Sequence, residues 1–153
     1  MFKRKTWSIL FAVAVVIATL SLAQPCLSKQ VGSVKALVGE THVNGEGQAE
    51  FKSLKAGDPI SLNEYIQTDQ NSKVLIKLDD DSHNSLGELS EINLYDFERQ
   101  NVAQYYAASV TSGLIRFVKK LSVTNPASIY SVTTPTAIIN VEPGDKADFL
   151  VQV

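Results

Sequence analysis

The stretch at residues 73–82 reads KVLIKLDDDS and decides the fold class. Its apolar residues Val74, Ile76 and Leu78 fall on every second position, and an acidic run follows them. Alternation with this period predicts a β-strand with one buried face, and consecutive polar residues are typical of the turn that ends such a strand. The segment is therefore predicted to be a strand that leads into a tight turn.

The same pattern recurs from Val31 to the last residues of the chain. Short alternating segments are separated by turn residues at intervals of about ten positions, which is typical of all-β domains. We therefore predict a single all-β domain at residues 29–153, built as an antiparallel-rich β-sandwich or β-roll. Further segments with this alternation are residues 34–38, 92–95, 115–118 and 149–153.

Other features locate turns and one less regular element. Asn44 and Gly45 form a dipeptide that is typical of a tight hairpin turn. Pro135, preceded by two threonines, indicates a strand boundary. Residues 101–112 combine alanines, which suit a helix, with tyrosines and β-branched residues, which suit a strand. We expect a strand or an irregular crossover there.

Residues 1–28 are predicted to be a secretory signal peptide that precedes the β domain as an apolar helix. A basic segment at residues 3–5 comes before an uncharged, mostly apolar run at residues 7–23, which is the architecture of such leaders. Cleavage is expected after Ala23 or after Ser28, and a proline between the two positions favours the second. The protein is therefore expected in the periplasm or secreted, as part of the bacterial cell envelope.

Two alternatives to a cleaved leader stay open. An uncleaved anchor needs roughly 20 apolar residues, whereas this run is slightly shorter and contains Thr19 and Ser21. Lipid attachment at Cys26 is disfavoured because Gln24 and Pro25 are bulky and rigid where a lipoprotein signal needs small residues. Contact with a membrane is expected only through this segment, if it is not removed.

The charge of the mature chain disfavours nucleic-acid binding. The full chain has 14 basic and 16 acidic residues. Three of the basic residues lie at positions 3–5, so removal of the leader leaves 11 basic against 16 acidic residues, a formal charge of −5. An acidic domain repels phosphate backbones, which bind clustered lysine and arginine.

Six short segments follow one another in a recognisable order along the predicted domain. They are VGSV at residues 31–34, LKAGD at 54–58, IQTDQNS at 66–72, VLIKLDDDS at 74–82, GLIR at 113–116 and VTTPTA at 132–137. Their order and spacing resemble the FecR domain, a periplasmic module named after the ferric-citrate transport regulator. The resemblance covers nearly the whole mature chain.

Two turns depart from the family pattern. The acidic turn has Asp80 or Asp81 where the family has a glycine. The closing Val-Arg-Gly-Thr turn of the family reads VEPGD at residues 141–145, which keeps the glycine but lacks the arginine and the threonine. A partner contact at the second turn would therefore differ from that of the family.

The resemblance implies a stand-alone, exported version of the module, since only a few residues precede the apolar run. We expect a non-enzymatic cell-envelope protein that binds another envelope protein or a cell-surface polymer. The alternative is an accessory subunit in signal transduction, in FecR-type regulation of a sigma factor or of iron transport, which works with a separate membrane protein.

The candidate partner-binding residues lie in two polar loops. No metal or cofactor is predicted. In the first loop consecutive residues of an extended chain face opposite sides and the spacing of a calcium-binding loop is missing, and a zinc site would need more cysteines and histidines than the chain has. The candidates are Asp79, Asp80, Asp81 and His83 in the first loop, and Glu142, Gly144 and Asp145 in the second.

No enzyme is predicted. The two histidines, His42 and His83, lie in polar segments, and no Gly-x-Ser-x-Gly motif places a nucleophile. A hydrolase, including a glycosidase with paired carboxylates, stays an alternative. Four aromatic residues could line a sugar- or peptide-binding face, although packing in the core is favoured. These aromatic residues are Tyr95, Phe97, Tyr105 and Tyr106.

Overall fold

The structure, a computed structural model, describes residues 28–45, 48–100, 103–120 and 129–153. These residues form an all-β domain, as the alternating pattern predicts. The predicted signal peptide lies outside the described residues except for Ser28. Within the described ranges no helix has the length and apolarity that a membrane crossing requires.

The described residues form thirteen strands, numbered in chain order. Several end at the turn residues that the sequence indicates. The strands are β1 (Gln30–Val38), β2 (Thr41–Gly45), β3 (Lys52–Ser53), β4 (Pro59–Ser61), β5 (Glu64–Thr68), β6 (Lys73–Leu78), β7 (His83–Leu86), β8 (Glu91–Gln100), β9 (Ala103–Ser112), β10 (Leu114–Lys119), β11 (Ile129–Thr133), β12 (Ile138–Val141) and β13 (Ala147–Gln152).

The strands belong to two sheets in a sandwich-like arrangement. One sheet has six strands in the order β13-β10-β7-β6-β1-β4, and the other has seven in the order β12-β11-β9-β8-β5-β2-β3. Neighbours are antiparallel except for β9 and β11, which run parallel. The chain crosses between the sheets several times, so that loops distant in sequence meet at the two ends of the sandwich.

The core lies between the sheets. Val74, Ile76 and Leu78 of β6 are at most 2% exposed, which confirms the face predicted from their spacing. Ile92 and Leu94 of β8 are fully buried and come from the other sheet. Complete burial of such a side chain contributes about 1.5–3 kcal/mol, so this shared interior is the main source of the domain's stability.

Strand β1 departs from the simple alternation of its sequence. The pattern predicts that Val34, Ala36 and Val38 share one face, but only Val34 is buried, while Val38 is 67% exposed. The pairing with β6 shifts register between Val34 and Ala36, which marks a β-bulge. The extra residue reverses the alternation, and Leu37 packs against the core instead.

The predicted turns fall close to their expected positions. Asn44 and Gly45 are the last two residues of β2, and the Gly45 carbonyl oxygen accepts a hydrogen bond from the Gln48 amide at 3.0 Å. Residues 103–112 form β9, so a strand is confirmed for that part of the uncertain segment. The boundary at Pro135 is confirmed, since it lies between β11 and β12.

Candidate functional site

The two predicted loops lie at the same end of the sandwich. The first, residues 79–82, joins β6 to β7, and the second, residues 142–146, joins β12 to β13. Val118 of β10 lies opposite His83 of β7 on one side and opposite Asp148 of β13 on the other. Strands in a sheet are about 4.8 Å apart, so the two loops start roughly two strand spacings from each other. We call this region the acidic end.

The first loop is a tight hairpin turn whose geometry explains its sequence. The Asp81 amide donates a hydrogen bond to the Leu78 carbonyl at 3.1 Å, and Asp81 has φ of 66°. Aspartate is among the few residues other than glycine that adopt this left-handed conformation readily. The turn therefore forms at a position where glycine would be the least strained choice, although no glycine is present.

The acidic residues of this loop do not face the same way. Asp80 is only 8% exposed, and its carboxylate accepts bonds from the amide and the hydroxyl of Ser82 at 2.9 and 2.8 Å. Asp79 and Asp81 are exposed. Asp80 thus stabilises the turn and, contrary to the sequence expectation, is removed from the surface that a partner would meet.

Asp81 is tied to the strand beneath it. Its carboxylate lies 2.6 Å from the Lys77 ammonium, and the hydrogen bond from Lys77 holds the pKa of Asp81 below its ordinary value. Both side chains are largely exposed, and such surface pairs contribute little to stability. The pair instead fixes where one negative charge of the acidic end is presented.

Lys119 lies between the two loops. Its ammonium group donates to the Glu142 carbonyl at 3.4 Å and lies 5.5 Å from the ring centre of Tyr130. Partial burial lowers the pKa of Lys119, while the carboxylates of Asp145 and Asp80 act in the opposite direction. Lys119 therefore contacts the second loop, and carboxylates of both loops act on its charge, an arrangement that sequence spacing alone does not indicate.

A buried polar cluster supports the acidic end from below. Tyr106 and Tyr130 stack with ring centres 4.2 Å apart, and the Asn84 amide donates to the Tyr106 hydroxyl at 2.9 Å. Burial raises the pKa of both tyrosines, and Asp80 raises that of Tyr130 further. Through its hydrogen bond, Asn84 of β7, the strand that follows the first loop, contacts Tyr106 of β9 in the other sheet.

The second loop presents its side chains to solvent. Glu142 and Asp145 are exposed, and the Asp145 amide donates to the Glu142 carbonyl at 3.3 Å across the turn. Gly144 has φ of 90°, and a side-chain carbon added there would meet no atom within 4 Å. The glycine thus serves the turn conformation, and the loop leads directly into β13.

Strand β13 has a feature that the sequence alone does not reveal. Gly113 and Val153 exchange two backbone hydrogen bonds, with N–O distances of 3.2 and 3.0 Å. Bonded and non-bonded pairs alternate along an antiparallel ladder. The backbone N–H and C=O groups of Asp148, Leu150 and Gln152 therefore point away from β10, towards the open edge of the six-stranded sheet.

The four sheet edges of the described residues differ in how well they are protected. Strand β3 has two residues, β12 has four, and β4 has three and begins with Pro59. Strand β13 has six residues that pair with β10 without a bulge or a proline. Short strands, prolines and bulges are the usual means of blocking edge-to-edge pairing, so β13 is the least protected edge.

The aromatic and histidine predictions have different outcomes. Phe97 and Tyr106 are in the core, as favoured, whereas Tyr95 is 45% exposed and Tyr105 is half-buried. Among the described residues, no serine or threonine hydroxyl forms a hydrogen bond with either histidine. Within those residues the structure therefore places no serine or threonine hydroxyl against a histidine base.

The chain was compared with models of known protein families, with curated proteins and with solved structures, and none of them matches it. The resemblance to the FecR domain therefore stays a prediction that rests on the six sequence segments.

Proposed function

We propose that this chain is a non-enzymatic, exported protein of the cell envelope that binds an extended segment of another envelope protein by strand addition at β13. The open, unblocked edge of β13 carries this proposal. Strand addition uses main-chain hydrogen bonds for affinity and side-chain contacts for specificity. A strand edge with three outward-facing residues offers both.

The side chains beside the edge suit an apolar partner residue. Leu150 is 64% exposed and Leu114, on the neighbouring strand, is 43% exposed. Each new ladder hydrogen bond contributes only about 0.5–1.5 kcal/mol net, so backbone pairing alone would bind weakly. An apolar side chain of the partner that covers Leu150 would add the burial that specific binding needs.

Charge restricts the partner further. Glu142 and Asp145 are exposed in the turn that precedes β13, and Asp148 lies at the start of the strand. The Arg116 guanidinium binds Asp148 at 2.6 Å and holds the pKa of that carboxyl below its ordinary value. The two exposed loop carboxylates favour a basic residue where the partner segment passes the acidic end.

The sequence resemblance favours a second candidate function within the same binding scheme. A FecR-like module could act as an accessory subunit that relays a signal with a separate membrane protein. Genes for a sigma factor or a transporter next to the gene for this chain would support that role. A cell-surface polymer is a third type of partner, and it would contact side chains rather than the backbone edge.

A photo-cross-linking experiment tests the proposal. A photoreactive amino acid replaces Gln152, at the open edge, or Tyr65, which is exposed on the other sheet, and the chain is exported in its native host. We expect a defined protein partner from position 152 and not from position 65. Equal capture from both positions, or capture of polymer alone, would contradict strand addition.

A pair of variants then separates backbone from side-chain recognition. Leu150→Pro removes an outward N–H, whereas Leu150→Thr keeps it and removes only the large apolar side chain. We expect the first to weaken binding of the cross-linked partner at least tenfold and the second to weaken it less. Unchanged binding by Leu150→Pro would overturn the proposal, as would turnover of ester, peptide or glycan substrates that His83→Ala abolishes.

A further inference from the structure

The far end of the sandwich holds a different kind of site. We propose that Glu40, His42 and Asp69 bind one divalent transition-metal ion of the zinc type. The inference is independent of β13, since these residues lie at the opposite end of the domain from the acidic loops.

Three separate segments supply the ligand atoms. Glu40 lies in the turn between β1 and β2, His42 in β2, and Asp69 in the turn between β5 and β6. One carboxylate or imidazole atom of each lies within 4.8 Å of the other two. Among the described residues, no other group of three histidine, cysteine or acidic side chains brings its ligand atoms this close together.

The distances fit a shared ion. The His42 Nε2 atom lies 3.2 Å from the Asp69 Oδ2 atom. Two ligands that each lie about 2.1 Å from one metal ion stand roughly 3.0–3.4 Å apart in octahedral or tetrahedral geometry. This pair already has that spacing, and a carboxylate oxygen of the exposed Glu40 lies within 4.8 Å of a ligand atom of each.

The backbone holds the segments in position before any ion binds. The Asp69 amide donates to the Glu40 carbonyl at 3.1 Å, and the Glu40 amide donates to the Ser72 hydroxyl at 2.8 Å. The Asp69 carbonyl in turn accepts from the amides of Ser72 and Leu89 at 3.2 and 3.3 Å. A site whose backbone is fixed loses less conformational freedom on binding.

The local charge also favours a cation. Glu40 and Asp69 bring two carboxylates together, and no lysine or arginine of the described ranges forms an ion pair with either. Only His42 lies between them. The His42 side chain is 25% exposed and that of Asp69 is 57% exposed, so water can complete the coordination of an ion with three protein ligands.

The donor set selects the class of ion. Imidazole nitrogen binds zinc, copper, nickel and iron well, whereas calcium prefers six to eight oxygen ligands. One nitrogen with two carboxylates is therefore a better match for Zn²⁺ than for Ca²⁺. A surface ion pair between His42 and Asp69 is the competing interpretation, and it requires no metal.

Titration of the purified chain with Zn²⁺ tests the inference, by calorimetry and by nitrogen-15 spectra of the histidine side chains. We expect one ion per chain, a signal change on Nε2 of His42, and at least tenfold weaker binding in His42→Ala and Asp69→Asn. His83→Ala, at the opposite end, is the matched control and should bind as the unmodified chain does. Ca²⁺ should bind more weakly than Zn²⁺.

Several results would overturn the site. Zn²⁺ binding that survives His42→Ala, or that His83→Ala abolishes, would do so. Tighter binding of Ca²⁺ than of Zn²⁺ would also do so, as would a dissociation constant for Zn²⁺ above about 1 mM. None of them bears on strand addition, because partner binding by Leu150→Pro is measured at a different surface. The two proposals can therefore fail separately.

Discussion

Gly113, in the turn between β9 and β10, lies directly against Ser90. Its φ is +88°, and a side-chain carbon added there would be 2.2 Å from the Ser90 hydroxyl oxygen and 2.4 Å from the Ser90 Cα. Ser90 is buried, and its hydroxyl accepts a bond from the Leu114 amide at 3.0 Å. A side chain at this position would therefore both strain the backbone, which has a positive φ, and collide with Ser90.

Gly144 offers a matched control for a prediction at this position. It has nearly the same φ, but an added carbon would touch nothing. Gly113→Ala is expected to lower the free energy of unfolding by about 2–4 kcal/mol, and Gly144→Ala by about 1 kcal/mol from backbone strain alone. Urea denaturation measures both, and equal losses would show that the contact with Ser90 contributes nothing.

Single residues also show how far the sequence could predict the candidate site. The composition of residues 79–82 indicates a solvated acidic turn, and three of the four loop residues are indeed acidic. It does not indicate that Asp80 turns inwards onto Ser82, because that choice depends on local turn geometry rather than on residue type.

The orientation of β13 is the main feature at the scale of elements. Alternate residues bond to β10, and the others face the open edge. The difference can be measured without any partner, since proline removes one N–H at a chosen position. An inward-bonded position should be intolerant of proline and an outward one tolerant.

Proline and alanine variants at two neighbouring positions test this orientation. Phe149→Pro is expected to be about 3 kcal/mol less stable than Phe149→Ala. Both variants remove the aromatic side chain, but only proline also removes the N–H that bonds to β10. Leu150→Pro should differ from Leu150→Ala by under about 1 kcal/mol, since edge positions accept proline. Thermal and urea unfolding give both differences, and the reverse order would contradict the assigned register.

The elements were predictable where a strand alternates without interruption. Val74, Ile76 and Leu78 show their face directly in the sequence, and so do Ile92 and Leu94. The bulge in β1 was not predictable, because an extra residue is defined only relative to the strand with which it pairs. The open edge of β13 depends on strand order for the same reason.

Two buried tyrosines make the stability of the whole molecule sensitive to alkaline pH. Burial raises the pKa of Tyr106 and of Tyr130 in the folded chain, whereas an unfolded tyrosine ionises at about pH 10. Above that pH the unfolded chain releases protons that the folded chain keeps. The stability present below pH 10 is therefore lost as the pH rises further.

Urea denaturation at a series of pH values checks this prediction. The free energy of unfolding should fall steadily above about pH 10, and Tyr130→Phe should make the fall less steep. Tyr106→Phe should act in the same way, although it also leaves the Asn84 amide without its acceptor. A stability that stays constant from pH 9 to about pH 11.5 would contradict burial of the two hydroxyl groups.

The arrangement of the whole molecule, more than its strands, is what the sequence leaves open. Each acidic loop can be recognised separately, but their approach follows from the order of β7, β10 and β13 in one sheet. Glu40, His42 and Asp69 likewise come together only after β2 pairs with β5. Both sites therefore depend on pairing between strands that are distant in sequence, and no local sequence motif indicates that pairing.

Amide hydrogen exchange of β13 tests the central claim most directly. It is measured on the unmodified chain, alone and with the partner that cross-linking identifies. In the free chain the amides of Phe149 and Val151 should exchange slowly and those of Leu150 and Gln152 rapidly. Binding should slow the second pair at least tenfold and leave the first pair slow. Unchanged exchange at Leu150 and Gln152 in a complex that is shown to be saturated would contradict strand addition at this edge.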